Sequence, residues 1–124
     1  MNLSPLKLLV VDDSLIVRRT VERHMRQSRF KEIRMASNGL EALSVFEEFQ
    51  PDVVTLDITM PEMDGLTTVE ILRRKNSRAI ILIISALADR HTAVEAMKRG
   101  AQGFLLKPIT PENLQEALEE LIDV

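Results

Sequence analysis

The chain has 124 residues, which suits a single domain spanning 1–124, and its formal net charge is −3. A negative balance argues against direct nucleic-acid binding, which normally requires clustered Lys and Arg and a basic pI. The absence of cysteine excludes disulfides and thiol chemistry, and the longest apolar run, 79–88, is shorter than the ~18–20 residues that span a bilayer, so we expect a cytoplasmic protein without membrane contact.

The first third of the chain predicts two strands and a helix between them. The strand LKLLVV, over 6–11, is an uninterrupted apolar run, which is typical of strands buried on both faces. A helix is predicted over 14–28. The residues of its inner face recur at helical spacing: Val17, Val21 and Met25. In the second strand, 32–36, Ile33 and Met35 alternate with charge, which predicts an edge strand with one solvated face.

The middle of the chain continues this alternation. A helix is predicted over 38–49, the buried strand DVVTL over 52–56, then a further helix, and the strand AIILII over 79–84. Apolar residues at helical spacing mark the two helices: Ala42, Leu43, Phe46 and Phe49, then Leu66, Val69 and Leu72. We interpret the basic run Arg73 to Lys75 as the solvated end of the second of these helices, where cations offset the helix dipole.

The last third predicts a fourth helix that Asp89 caps, the strand GFLL over 103–106, and a fifth helix. The fifth helix has the clearest start signal, because Thr110 can cap it and Pro111 occupies the first helical position, where a missing N–H has no cost. Apolar residues mark the two helices: Val94 and Met97, then Leu114, Leu118 and Leu121.

Strands that alternate with helices through right-handed crossovers predict an α/β fold: a doubly wound, five-stranded parallel sheet flanked by five helices, most often in strand order 2-1-3-4-5. The carboxyl ends of all strands then lie along one edge. Asp12 and Asp13 follow the first strand, Asp57 the third, Ser85 the fourth and Lys107 the fifth. Carboxylates, a hydroxyl and an ammonium meeting in one crevice are the groups needed to bind a hard divalent cation and accept a phosphoryl group.

Each of these residues, taken alone, has a simpler explanation. The Asp pair could cap the first helix, Ser85 could be a satisfied buried hydroxyl, and Lys107 could be a snorkelling lysine at a strand end. Asp57 is harder to explain in this way, because it ends a buried strand and precedes the loop 58–65, which carries Pro and Gly at fixed places. The joint placement at one sheet edge favours a functional site.

Four motifs, VVDDS, LDITMPEMDG, ISA and LLKP, occur in this order and cover the strand ends just described. Together they resemble the receiver domain of two-component response regulators, a flavodoxin-like fold, and especially its CheY-like single-domain members. The resemblance extends over essentially the whole chain. It implies a phosphorylation-activated switch that catalyses only its own phosphorylation and dephosphorylation. The phosphodonor would be a histidine kinase or a histidine phosphotransfer protein, and the switch would bind a downstream target protein.

The resemblance also implies a role for each motif residue. Asp57 would be the phosphoacceptor. Asp12 and Asp13 would bind Mg²⁺, or Mn²⁺ in its place, together with Asp57 and the backbone carbonyl of Thr59. Lys107 would bind the phosphoryl group.

Ser85 would be the switch hydroxyl, and Phe104 the aromatic whose rotamer follows phosphorylation. The surface that changes would comprise the fourth helix, the fifth strand and the fifth helix. The Lys107–Pro108 bond is expected to be cis. Thr59 and Leu87 depart from the polar residues that family members often carry there, and we expect them to set the lifetime of the phosphorylated state.

The first helix offers a candidate docking surface for the phosphodonor. Leu15, Arg18, Arg19 and Glu22 lie away from its inner face and next to the acidic crevice. Leu15 and Ile16 are more apolar than an exposed first turn requires, which favours protein docking. The alternative is partial burial against neighbouring loops. An unphosphorylated chain is expected to be a monomer, and an initiating Met with an end at the last helix suits a stand-alone protein.

Two other functions use related parts. A Mg²⁺-dependent phosphatase of the haloacid-dehalogenase type also forms an aspartyl phosphate, but its nucleophile ends the first strand in a D-x-D arrangement beneath a cap domain. Here Asp12 and Asp13 are adjacent, and 124 residues leave no room for a cap. A flavodoxin-like electron carrier needs aromatic stacking on its cofactor, and this chain has no Trp or Tyr.

Overall fold

The computed structural model describes residues 6–26, 30–58, 64–86 and 90–122. Strands and helices alternate along these ranges: β1 (Leu6–Val11), α1 (Leu15–Met25), β2 (Phe30–Ala36), α2 (Gly39–Phe49), β3 (Val53–Leu56), α3 (Gly65–Lys75), β4 (Ile80–Ser85), α4 (Arg90–Arg99), β5 (Gly103–Leu106) and α5 (Pro111–Ile122). The strands form one parallel sheet in the order β2-β1-β3-β4-β5, which confirms the predicted architecture. None of the helices in the described ranges is long and apolar enough to cross a membrane.

Two predicted elements have bounds that differ from the structure by more than one residue. β2 lies at the sheet edge as expected, but it begins at Phe30, which is buried and pairs with Leu6 across a shift in the β1–β2 register. That shift is a tertiary feature without a sequence signal. The predicted helix over 14–28 starts after its cap, Ser14, and ends at Met25. Residues 27–29 lie outside the described ranges.

The sheet is covered on both faces, so β1 to β4 each contribute buried residues to two cores, and β5 contributes the partly buried Phe104 and Leu105. Successive strand residues point to opposite faces, which explains why the strands read as continuous apolar runs. One core joins the sheet to the helices α2, α3 and α4 and includes Leu9, Val54, Ile81, Phe46, Leu72 and Ala96. The other joins it to α1 and α5 and includes Leu8, Val53, Leu82, Val21, Met25 and Leu114. The sheet is therefore held rigid from both sides.

The fourth helix is present, but its two apolar markers face solvent. Val94 and Met97 are 46% and 43% exposed, whereas Ala96 is fully buried. Ala96 belongs to the core that the sheet shares with α2, α3 and α4, whereas the two larger apolar side chains remain outside it. Asp89, the predicted cap, lies outside the described residues.

The start of α5 agrees with prediction. The Asn113 backbone N–H donates to Thr110 Oγ1 at 3.0 Å, and the Thr110 N–H donates to Asn113 Oδ1 at 2.8 Å, which makes a reciprocal capping box. Pro111 is the first helical residue. The Lys107–Pro108 bond is cis, as expected.

The basic run at the end of α3 is not merely a solvated helix end. The Arg73 guanidinium donates to the Gly100 carbonyl through Nε at 3.1 Å and Nη2 at 2.7 Å, and so ties α3 to the end of α4. Gly100 has φ +126°, which side-chain-bearing residues rarely adopt. Lys75 forms an ion pair with Glu47 at 2.8 Å. The run therefore joins elements of the fold.

Candidate functional site

The carboxyl ends of four strands meet at one edge of the sheet. Asp12, Asp57 and Lys107 each directly follow a strand, and Ser85 ends β4. Hydrogen bonds between strands continue past these ends, since the Asp57 N–H donates to the Val11 carbonyl at 2.9 Å and the Lys107 N–H to the Ser85 carbonyl at 2.8 Å. The side chains of the candidate site thus project from backbone that the sheet holds in place.

Three carboxylates lie together at this edge. Asp12, Asp13 and Asp57 each offer an oxygen, and these oxygens all lie within 4.8 Å of one another. Asp12 and Asp57 are 2% and 3% exposed, whereas Asp13 is exposed. A set of hard oxygen donors with one open side fits Mg²⁺, which binds through one or two carboxylates and keeps several waters. Thr59, the fourth predicted contributor, lies outside the described residues.

Lys107 balances part of this negative charge. Its Nζ lies 3.0 Å from Asp12 Oδ2 and 3.5 Å from Asp57 Oδ2. Desolvation alone would lower the pKa of Lys107, but the hydrogen bond to Asp12 and the charges of both aspartates outweigh it, and the pKa is raised. The side chain is therefore an ammonium ion fixed beside Asp57.

Asp12 is a constrained member of the group. Its Oδ1 accepts a hydrogen bond from the Ser14 N–H at 2.9 Å. Burial raises its pKa, and the hydrogen bonds from Ser14 and Lys107 only partly oppose this. The cap of α1 is Ser14, whose Oγ accepts from the Val17 N–H, so the helix-cap explanation of the Asp pair is wrong.

The backbone beside Asp57 is fixed by a close approach to α3. The Gly65 N–H donates to the Ile58 carbonyl at 3.2 Å, and a Cβ at Gly65 would lie 2.1 Å from the Ile58 Cα. Only glycine allows this contact. Asp64 caps α3 by accepting from the Thr67 N–H at 2.9 Å. The glycine in the loop pattern is therefore explained by its close packing against Ile58. Residues 59–63 of this loop lie outside the described residues.

The predicted switch residues lie on β4 and β5. Ser85 is fully buried at the end of β4. Phe104 is half-buried, pairs in register with Ile83 and packs against the core under α2, α3 and α4. A rotamer change of Phe104 on phosphorylation stays a prediction. Leu87 lies outside the described residues.

The predicted docking residues do not form one uniform surface. Leu15 and Ile16 are 51% and 78% exposed, so partial burial against loops does not account for them. Arg19 is also exposed, and Glu22 forms an ion pair with Arg26 at 2.8 Å.

Arg18 differs from its neighbours. It is half-buried, and its Nη1 donates to the Asp12 carbonyl at 2.7 Å. Neither this contact nor the Ser14 cap was predicted. The Ser at the start of α1 was an available signal, whereas the path of the arginine depends on the fold.

Comparison with known proteins places these features in one family. Residues 8–119 match the family model described as the response regulator receiver domain. The chemotaxis protein CheY of Listeria monocytogenes is 42% identical over 115 residues, which are 93% of this chain and 97% of that protein.

Solved structures agree. CheY4 of Vibrio cholerae has a TM-score of 0.89 at 30% identity, over 96% of this chain and 100% of that one. A chain of the CheX–CheY–BeF3–Mg²⁺ complex from Borrelia burgdorferi has a TM-score of 0.90 at 29% identity, over 94% of this chain and 89% of that one. The family match, the strand order and the acidic edge of the sheet agree, and the chain belongs to the response regulator receiver domain family, with CheY-like relatives in two-component signalling.

Proposed function

We propose that this chain is a phosphorylation-activated switch that accepts a phosphoryl group on Asp57. The observation that supports this most strongly is the placement of a buried carboxylate beside a fixed ammonium, Lys107 Nζ, at 3.5 Å. Asp12 and Asp13 complete a group of oxygens suited to a divalent cation. Family membership supports the same assignment.

The proposed reaction is a phosphoryl transfer. An Asp57 carboxylate oxygen forms a bond to phosphorus while the bond from phosphorus to the leaving atom breaks. That atom, a phosphohistidine nitrogen or an acetyl phosphate oxygen, keeps the electron pair, and the product is an aspartyl phosphate. Lys107 stabilises the charge on the transferred oxygens from a preset position. Mg²⁺, when bound by Asp12, Asp13 and Asp57, would reduce the repulsion between the carboxylate and an anionic donor.

The proposed output is a change in the surface formed by α4, β5 and α5. The Ser85 hydroxyl would donate to the new phosphoryl group and favour one arrangement of this surface, with Phe104 following. Three large apolar side chains of α4 and β5 are exposed and available to a target protein: Val94, Met97 and Leu106.

The proposed donor is a histidine kinase or a histidine phosphotransfer protein that docks on α1. Leu15 and Ile16 give that helix an exposed apolar first turn. A mainly apolar hollow of about 430 Å³ lies alongside, lined by Val17, Thr20, Lys107, Pro108 and Ile109. Because Lys107 lines this hollow, a donor that docks there would lie close to the acidic crevice.

Incubation with acetyl phosphate tests the proposal. In Mg²⁺ the intact chain should gain the mass of one phosphoryl group, and hydroxylamine should remove it, because acyl phosphates react with that nucleophile. Chelator should prevent the gain. Sustained hydrolysis of a small phosphomonoester, without any phosphorylated chain, would instead favour the phosphatase alternative and contradict the switch.

Substitution of Asp13 by Asn is expected to stabilise the chain in chelator. Like charges crowd this site, and Lys107 contacts Asp12 and Asp57 rather than Asp13. The pKa of Asp12 is raised chiefly by burial, with a smaller contribution from the charge of Asp57, so the cost of ionising Asp12 at neutral pH is common to the parent and the variant. The melting temperature should therefore rise by a few degrees at neutral pH.

Added Mg²⁺ should stabilise the parent, because it binds the folded group of carboxylates and not the unfolded chain. The rise in melting temperature on Mg²⁺ addition should be larger for the parent than for Asp13→Asn. Equal shifts, or a variant less stable than the parent in chelator, would show that Asp13 is a surface charge outside the metal site.

We also propose that Thr59 and Leu87 set the lifetime of the phosphorylated state, as their departure from the family pattern suggests. A carboxylate in place of Leu87 would orient attacking water, which the apolar side chain fails to do. Leu87→Glu should therefore lose its phosphoryl group severalfold faster than the parent once acetyl phosphate is removed. An unchanged or slower loss would remove Leu87 from this role.

A further inference from the structure

Arg18 makes a contact that phosphodonor docking does not require. Its Nη1 donates to the main-chain carbonyl of Asp12 at 2.7 Å, across six positions of sequence. This carbonyl lies just beyond the end of β1. A hydrogen bond from a charged donor at this length is among the stronger kinds.

The same contact completes a set of restraints on Asp12. Its N–H donates to the Ala36 carbonyl at 3.1 Å, its Oδ1 accepts from Ser14, and its Oδ2 accepts from Lys107. Arg18 holds the remaining polar group of the residue, the main-chain carbonyl. That peptide unit leads directly into Asp13, so its orientation sets the directions from which both carboxylates project.

Arg19 provides a natural comparison. It is the same residue type on the same helix and carries the same charge, but it is exposed. Within the described ranges, no hydrogen bond or ion pair joins Arg19 to Asp12, Asp13 or Asp57. If only the loss of a positive charge mattered, substitution of either arginine should change the Mg²⁺ affinity in the same direction.

We infer that Arg18 is a positioning residue for divalent-cation binding, which acts by fixing the Asp12 carbonyl and hence the carboxylates of Asp12 and Asp13. The inference rests on the proposed function, since it concerns the same Mg²⁺ site, but it assigns Arg18 a role other than the docking role predicted from sequence. Groups that orient metal ligands typically affect metal affinity by about 10–100-fold when they are removed.

The direction of the change in Mg²⁺ affinity distinguishes a positioning role of Arg18 from a purely electrostatic one. Loss of a positive charge near an acidic cluster should, by charge alone, strengthen the binding of another cation. Loss of the carbonyl restraint should weaken it. A weaker affinity after Arg18 is removed is therefore evidence for positioning, and a merely structural contribution would lower the melting temperature without changing affinity in the folded chain.

Titration calorimetry with MgCl₂ tests this on the parent, Arg18→Met and Arg19→Met, well below their melting temperatures. We expect the Mg²⁺ Kd of Arg18→Met to rise about tenfold, and that of Arg19→Met to stay unchanged or fall slightly. Equal Kd values for the two variants, or tighter binding by Arg18→Met, would overturn the inference. If Arg18→Met does not fold, the pair Arg18→Gln and Arg19→Gln is compared in the same way, with the same expected and contrary results.

Measurements on the parent chain separate the role of Arg18 from the proposed function. A parent that binds Mg²⁺ and becomes phosphorylated on Asp57, with equal Kd values for the Arg18 and Arg19 variants, would overturn the role of Arg18 alone. A parent that neither binds Mg²⁺ nor is phosphorylated would overturn the proposed function and this inference together.

Discussion

Asp57→Asn is expected to abolish phosphorylation by acetyl phosphate in Mg²⁺. An amide lacks the anionic oxygen that forms the bond to phosphorus. Among the described residues that follow β3, Asp57 is the carboxylate that lies beside Lys107 Nζ, at 3.5 Å. The substitution keeps size and shape, so the fold should persist. Mass spectrometry of the intact variant measures the effect directly.

Ser85→Ala is the matched control, because Ser85 is buried at the same edge of the sheet. Its hydroxyl is proposed to bind the phosphoryl group after transfer and not to take part in the transfer. This variant should still be phosphorylated, with a weaker change in the methyl resonances of Val94 and Met97 on α4. If Asp57→Asn instead formed a stable aspartyl phosphate at another residue, the assignment of the phosphoacceptor would be wrong.

Gly65→Ala is expected to reduce the free energy of unfolding by about 3 kcal/mol, at the upper end of overpacking effects. The new Cβ would lie 2.1 Å from the Ile58 Cα and 2.7 Å from its Cβ. Backbone must shift to relieve such an overlap, and Ile58 directly follows Asp57. Phosphorylation should therefore slow as well, and urea unfolding with a parallel acetyl phosphate assay measures both effects.

Gly103→Ala is the control for this prediction. Its Cβ would meet the tip of the Leu121 side chain, Cδ1, at 3.0 Å, and Leu82 Cδ1 at 3.1 Å. Side-chain ends can move where backbone cannot, so the loss of stability should be clearly smaller, about 1 kcal/mol. Equal losses in the two variants would mean that contact with Ile58 does not constrain the site.

The sequence was informative wherever a local pattern determines the structure. Continuous apolar runs predicted the parallel strands, because burial on both faces leaves no alternation. The rule that parallel strands end at one edge then brought Asp12, Asp57 and Lys107 together without knowledge of any contact.

Prediction was weaker where tertiary packing decides the outcome. Val94 and Met97 were apolar markers of α4, yet the small Ala96 is the residue of that helix buried in the core, and the larger side chains face solvent. Arg73 belonged to a run typical of a solvated helix end, but its guanidinium reaches the Gly100 carbonyl, 27 positions away. The bond from Arg18 to the Asp12 carbonyl is of the same kind, since nothing in the spacing indicates the path of a long side chain.

The most direct test of Asp57 as the phosphoacceptor is to locate the phosphoryl group on the parent chain. After incubation with acetyl phosphate and Mg²⁺, borohydride reduction converts an aspartyl phosphate to homoserine, which peptide mass spectrometry assigns to a position. We predict homoserine at position 57 and its loss when chelator replaces Mg²⁺. Homoserine at position 12 or 13, or modification at 57 that is indifferent to chelator, would contradict the proposed site.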